Sequence, residues 1–286
     1  MYKRFFAFGC SFTMYHWVTW ADIVAYSYPD AKYFNFGVNG GGNQQILSRI
    51  MEADQLYKFT KDDLIIVQWT NVAREDRYLD GHWATGGNVY SNSLFDEQFI
   101  KKYCNNTHFL LRDLAAIKSV NAFLKGIGCT YFNLSMVDIN TINQYENTKV
   151  KDIEQTNLFE TYKDVLGCIK PSFHSTLFNC DWWSRTPRPT TIYSTGVVCE
   201  KDPHPTPAEH LEYLKTVLPE LPLAQDIESV ISKVNETVLS TNNLSSLQVP
   251  VRLGNIKRPS GAMLKIKDFC YGLSGISGAE QIYDIH

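Results

Sequence analysis

Ser11, Asp202 and His204 are the residues of this 286-residue chain whose types, brought together, could carry nucleophilic chemistry. Ser11 follows an apolar run, Phe5 to Phe8, and a glycine, Gly9. After it Trp17, Trp20, Ile23 and Val24 recur at helical spacing. That pattern reads as strand, tight turn and helix. A serine at such a turn lies near the unsatisfied N–H groups of a helix start, which favour developing negative charge. It becomes a nucleophile if a base reaches its hydroxyl, and is otherwise a helix N-cap. His204, within Asp202-Pro203-His204-Pro205, can be that base, and Asp202 can hold its imidazole. Taken alone, His204 between prolines is a loop histidine. Acyl chemistry also needs donors for an oxyanion. The backbone N–H groups of Ser11 and Gly40 and the side-chain amide of Asn71 are three candidates. Gly40 could instead serve a turn, and Asn71 could cap a strand end. Cys10 is a rival nucleophile, but as the continuation of the strand it is expected to point inward, opposite Ser11.

These residues lie far apart in the chain, so the fold must bring them to one edge. Tyr33 to Phe36 reads as a second strand running into Gly37-Val38-Asn39-Gly40-Gly41-Gly42, where glycines permit positive φ and close approach. A helix carrying Ile46, Leu47, Ile50 and Met51 follows. Leu64 to Val67 is a third, wholly apolar strand that ends near Asn71. Thr107 to Lys125 is the clearest helix, and Cys129 to Leu134 a fourth strand. Continuous apolar strands alternating with helices predict a parallel sheet covered on both faces, an α/β fold in three layers, α/β/α. In such a sheet the carboxyl ends of the strands share one edge, where sites form.

Helix one is expected over Tyr15 to Tyr28, a further helix over Leu158 to Leu166, and a last strand or extended approach over Thr191 to Val198. Thr206, Pro207 and Glu209 form a capping box with proline at the first helical position, opening a helix through Leu211, Leu214 and Leu218. Ile227 to Leu239 reads as a short amphipathic helix. The main domain is expected over 1–239, with excursions at about 74–106 and 138–190. The segment 240–286 reads as an appendage, an oligomer arm or a tail, with short apolar pieces at Val249 to Val251, Met263 to Ile266 and Phe269 to Tyr271.

Composition bounds the partners. Twenty-seven basic and 30 acidic residues give a formal charge of −3, which argues against a nucleic-acid or anionic-membrane surface. No stretch approaches the ~18 apolar residues of a membrane span. Seven cysteines, without a C-x-x-C pair, fit reduced thiols in a cytoplasmic setting. The glycines follow strand two rather than strand one, so they do not make a dinucleotide fingerprint. A zinc site at His204 and His210 lacks a third ligand at suitable spacing. No metal or organic cofactor is expected.

The four pieces together resemble the SGNH hydrolase family, also called GDSL-like esterases and lipases. Gly9-Cys10-Ser11-Phe12-Thr13 is similar to the family's first block, usually Gly-Asp-Ser-x-Ser, whose serine is the nucleophile. Asn35-Phe36-Gly37-Val38-Asn39-Gly40 resembles the second block, whose final glycine gives an oxyanion N–H. Trp69-Thr70-Asn71-Val72 resembles the third, usually Gly-x-Asn-Asp, whose asparagine is an oxyanion donor. Lys201-Asp202-Pro203-His204-Pro205 resembles the last, usually Asp-x-x-His-Pro. The resemblance covers about residues 5 to 218. It implies a flavodoxin-like SGNH architecture and a serine esterase with Ser11, His204 and Asp202 as catalytic residues, and Ser11, Gly40 and Asn71 around the oxyanion.

The chain departs from the pattern at three points. Cys10 replaces the usual Asp. Trp69 stands for a glycine that often lines the cleft. Asp202 precedes His204 by two residues rather than three, with Lys201 in the usual place and Glu200 as a reserve carboxylate. The expected substrate is a small-molecule or carbohydrate ester, such as an O-acetyl sugar, with Trp69, Trp83, Trp182 and Trp183 as candidate lining residues. An acyltransferase, or a noncatalytic binding or assembly module on the same fold, are the alternatives. Oligomerisation through the C-terminal tail is open.

Overall fold

The computed structural model describes residues 2–15, 17–79, 82–90, 94–139, 141–143, 148–149, 153–178, 191–192, 198–199, 202–240, 264–267 and 281–285. In chain order the principal elements begin with strand β1 (Arg4–Gly9), helix α1 (Trp20–Ser27), strand β2 (Lys32–Gly37), helix α2 (Asn43–Tyr57) and strand β3 (Asp63–Trp69). A hairpin of β4 (Arg74–Leu79) and β5 (His82–Asn88) follows, then α3 (Glu97–Tyr103), α4 (Asn106–Ile127) and β6 (Thr130–Ser135). Next come α5 (Ile153–Thr161), α6 (Lys163–Leu166), α7 (Pro207–Val217) and α8 (Ile227–Ser240).

β1 is the central strand, parallel to β2 on one side and β3 on the other, and β6 runs parallel beyond β3. Ile169 continues this order with a single parallel bridge to Asn133 on β6. The sheet separates two cores because side chains alternate along a strand. Phe5 and Ala7 face a cluster built with Trp20, Ile23 and Val24 of α1, Leu211 and Leu214 of α7, and Ile231 and Val234 of α8. Phe6 and Phe8 face the other cluster, with Ile46 and Ile50 of α2 and Leu114, Ile117 and Val120 of α4. The molecule is therefore an α/β fold with a parallel sheet flanked by helices, as the apolar strand runs predict.

Several expectations change in detail. The predicted first helix starts at Trp20 rather than Tyr15. Thr19 marks its N-terminus, with its N–H donating to Asp22 Oδ2 at 2.9 Å and its hydroxyl to Thr13 O at 2.7 Å. Tyr15 and Trp17 are thereby left in a loop, where their rings serve packing. The predicted helix near Leu158 to Leu166 is two helices parted at Tyr162. Residues 191–192 and 198–199 pair with each other in antiparallel fashion rather than forming one strand of the main sheet. At the other edge, Gln281–Ile285 lies antiparallel against β2, and Leu264–Lys267 antiparallel against it, so the sheet is mixed, with four parallel strands at its heart. The apolar pieces Val249 to Val251 and Phe269 to Tyr271 lie outside the described residues.

The expected excursion after β3 contains a hairpin and a short helix. Arg112 of α4 anchors its root. The guanidinium donates to Val72 O and Arg74 O and pairs with Glu75 at 2.8 Å. Among the described residues no helix is long and apolar enough to cross a membrane.

Candidate active site

The strand register sets the edge. Gly9 ends β1 opposite Gly37, the last residue of β2, and Phe8 lies opposite Val67 near the end of β3. Ser11 therefore emerges beside the loops after β2 and β3. The turn that carries it is tight. Thr13 N–H and Met14 N–H both donate to Cys10 O, and a Cβ on Gly9 would sit 2.0 Å from Thr13 Oγ1. Only glycine fits there, so Gly9 is a steric requirement of the turn. Cys10 is fully buried with its Sγ 3.7 Å from Met136 Sδ, on the inward side as expected.

His204 reaches this turn from the segment before α7. Its Nε2 lies 2.9 Å from Ser11 Oγ, and its Nδ1 2.7 Å from Asp202 Oδ1. Asp202 is fully buried, and its pKa is held below the ordinary carboxylate value. Burial alone pushes the other way, but the hydrogen bond and charge of His204 and the Tyr15 hydroxyl outweigh it. An ionised carboxylate only accepts, so Nδ1 carries the proton and Nε2 of the neutral ring accepts from the serine hydroxyl. This arrangement can take the serine proton and stabilise the imidazolium that results. The carboxylate two residues before the histidine thus reaches the ring. Its Oδ1 also accepts the His204 N–H at 3.1 Å, closing an Asx-type turn over Pro203. Glu200, the reserve, lies outside the described residues.

The glycine loop is held from the hairpin. Thr85 Oγ1 donates to Asn39 O at 2.9 Å and Gly87 N–H to Gly40 O at 3.1 Å. Arg74 Nη1 donates to Gly41 O at 2.7 Å, and Asp76 Oδ1 accepts Gly42 N–H at 2.9 Å. Asp76 Oδ2 also takes Gln45 N–H at 3.1 Å, so a carboxylate from another strand caps α2. Gly40 has φ +72°, and a Cβ on it would lie 3.0 Å from Thr85 O. Its N–H and that of Ser11 donate no hydrogen bond among the described residues. Asn71 is fully buried. Its Oδ1 accepts Ala73 N–H at 2.9 Å and Asn88 Nδ2 at 3.4 Å, which fixes the amide so that its NH₂ end faces the other way.

The tryptophans separate. Trp69 does not line a cleft. It is fully buried in the core beside α4, and its indole N–H donates to Asn133 Oδ1 at 2.9 Å. Trp83 is half-buried on β5, edge-on to Tyr78 with ring centroids 5.7 Å apart. Trp182 and Trp183 lie outside the described residues. His210 is a packing residue, buried on α7 and edge-on to Phe173. No cluster of His, Cys, Asp and Glu among the described residues could hold a metal ion.

Sequence reasoning missed Tyr15, Arg74, Asp76, Thr85 and Gly87. Tyr15 fell inside a helix that begins later. The hairpin residues sit in a stretch without periodicity, and only the third dimension brings them against the glycine loop.

No family model matches the sequence, and no curated protein matches it. Among solved structures, the chain is similar to a member of the lipolytic protein G-D-S-L family from Veillonella parvula DSM 2008. That match has 14% identity and a TM-score of 0.40, covering 76% of this chain and 98% of the other. It is also similar to Axe2, an acetylxylan esterase from Geobacillus stearothermophilus, at 14% identity and a TM-score of 0.40, covering 78% and 95%. A GDSL-like lipase from Bacteroides thetaiotaomicron VPI-5482 matches at 13% identity and a TM-score of 0.36, covering 80% and 89%. Likeness at this level assigns neither activity nor substrate to this chain.

Proposed function

We propose that this protein is a serine esterase of the SGNH type, cleaving an acyl ester through a covalent acyl-Ser11 intermediate. The observation that carries the reading is the continuous array from Ser11 Oγ through the His204 ring to Asp202, with links of 2.9 and 2.7 Å. Ser11 Oγ attacks the ester carbonyl while His204 Nε2 takes its proton. The tetrahedral oxyanion is met by the N–H groups of Ser11 and Gly40 and by the Asn71 amide. His204 then protonates the leaving alcohol, the carbonyl reforms, and the acyl group remains on Ser11. Water, its proton taken by His204, attacks the acyl-enzyme; the acyl–Oγ bond then breaks, the acid leaves and His204 returns the proton to Ser11 Oγ.

An alcohol could replace water in the last step, which would make the protein an acyltransferase. Product analysis with a sugar acceptor separates the two. For the substrate we favour a polar carbohydrate ester, such as an O-acetyl sugar. The half-buried Trp83 and its neighbour Tyr78 offer aromatic surface on the hairpin that borders the glycine loop. The two-residue Asp–His spacing, the main sequence feature favouring a noncatalytic module, carries less weight with Asp202 at 2.7 Å from the ring.

The test is covalent labelling. A fluorophosphonate probe is expected to modify wild type at a single site, mapped by mass spectrometry to the peptide containing Ser11, and to leave folded His204→Ala unlabelled. Labelling spread over other serines, or none at Ser11, would contradict the reading.

A further inference from the structure

The short spacing between Asp202 and His204 creates a need that the fold meets from elsewhere in the chain. Asp202 Oδ1 is already committed to both the backbone N–H and the ring Nδ1 of His204. Its other oxygen lies in a site without solvent exposure, where an unpaired carboxylate oxygen is costly. Tyr15 supplies the donor, with its hydroxyl 2.8 Å from Asp202 Oδ2. The same ring lies nearly parallel on the imidazole of His204, with centroids 3.9 Å apart and planes at 19°. Trp17 stands edge-on to Tyr15 at 4.5 Å, and its Nε1 donates to Pro205 O at 2.8 Å. Phe12 packs against the imidazole as well, at 5.7 Å. The loop that carries Ser11 therefore also grips the turn that carries the base.

We propose that Tyr15 is a positioning residue of the Ser11–His204–Asp202 array. It holds the second carboxylate oxygen of Asp202 and one face of the His204 ring, so that an Asp-Pro-His spacing can present the base to Ser11. The inference rests on the reading of Ser11 and His204 as nucleophile and base. When His204 takes the serine proton, the cationic ring forms between the Asp202 carboxylate and the electron-rich face of Tyr15, and both favour it. The tyrosine hydroxyl also draws off part of the Asp202 charge. Among the described residues, the titratable groups that bear on His204 include Asp202 from its own turn, Tyr15 from the loop after β1, and His210 from α7. Without the hydroxyl, the carboxylate charge concentrates on His204, and the midpoint of its titration moves up.

Tyr15→Phe keeps the ring and removes the donor, whereas Tyr15→Leu removes both. The experiment measures kcat, KM and the pH profile of kcat/KM on p-nitrophenyl acetate, and follows the His204 titration by NMR, which needs no turnover. Ser11→Ala and His204→Ala are controls. Tyr15→Phe is expected to lower kcat about tenfold at unchanged KM. It should also move both the acidic limb and the His204 NMR midpoint to higher pH, and Tyr15→Leu should lower kcat further. If Tyr15→Leu does not fold, Tyr15→Phe decides alone. A Tyr15→Phe protein with wild-type kcat and an unmoved His204 midpoint overturns the inference. So does a loss of activity that matches an unfolded fraction while the midpoint stays in place. The underlying reading fails separately, through Ser11→Ala or His204→Ala turning over as fast as wild type, and the NMR midpoint then still tests whether Tyr15 holds the pair.

Discussion

The guanidinium of Arg74 donates to the carbonyl oxygen of Gly41 at 2.7 Å, from a side chain that is almost wholly buried. Its Nη2 lies 3.4 Å from Met136 Sδ, the sulfur that also touches Cys10. Arg74 thus links the hairpin, the glycine loop and the turn of Ser11. Arg74→Met keeps bulk but removes the donors. It is expected to lower stability by roughly 1–3 kcal/mol and to reduce kcat more than it raises KM, because the loop that would meet the oxyanion loses its brace. Urea unfolding and steady-state kinetics on a short ester check both. An unchanged kcat would mean that the Arg74 bond to Gly41 does not set the loop.

Gly40→Ala places a Cβ at φ +72° against Thr85 O. The left-handed conformation disfavours a side chain by roughly 1–2 kcal/mol, and the crowding adds to that. Stability is expected to fall by at least this amount, with kcat falling as well. A folded Gly40→Ala with unchanged stability and full activity would show that neither the left-handed conformation nor the close approach to Thr85 is required at this position.

Asn71→Ala removes both a strand-end acceptor for Ala73 N–H and the proposed oxyanion donor. Loss of one such donor typically costs about 3 kcal/mol of transition-state stabilisation, roughly 10²–10³ in kcat. The kinetic loss is expected to exceed the stability loss, measured on the same variant by denaturant titration. Equal losses would reduce Asn71 to a cap.

Two buried groups give opposing pH dependences of stability. Burial lowers the His210 pKa well below 6.5, helped by the charge of His204. The unfolded chain then binds a proton that the native state does not, so stability falls as pH drops below 6.5, by up to about 1.4 kcal/mol per unit. Asp76 is pushed up to about 6 by burial, against the hydrogen bonds from Gln45 and Gly42. Here the native state holds the extra proton, so stability falls as pH rises from 3.8 towards about 6. His210→Phe is expected to remove the first component and Asp76→Asn the second. Urea titrations between pH 4 and pH 7 would read each as a change of slope in its own direction.

The fold was legible where apolar strands and capped helices speak for themselves. Phe5 to Phe8, Leu64 to Val67, Thr107 to Lys125 and the Thr206–Glu209 box all sit close to their predicted places. Ser11, Asp202 and His204 were legible as candidates because they fall in ordered blocks after the first strand and before the capped helix at Thr206. What the sequence did not reveal depends on contacts between distant segments. Tyr15 and Asp202 are 187 residues apart, and no local pattern announces their bond. Trp69 looked like a cleft residue because it replaces a small one, yet Asn133 gives its indole a buried partner. The hairpin after Arg74 has neither period nor caps to advertise it, and its function as a clamp comes from the glycine loop it meets.

Initial-rate hydrolysis of p-nitrophenyl acetate, with wild type compared against folded Ser11→Ala and His204→Ala, tests the esterase account most directly. The account predicts turnover by wild type and loss of at least about 10³-fold in each variant. Wild-type release of p-nitrophenol no faster than that of the two variants would contradict it.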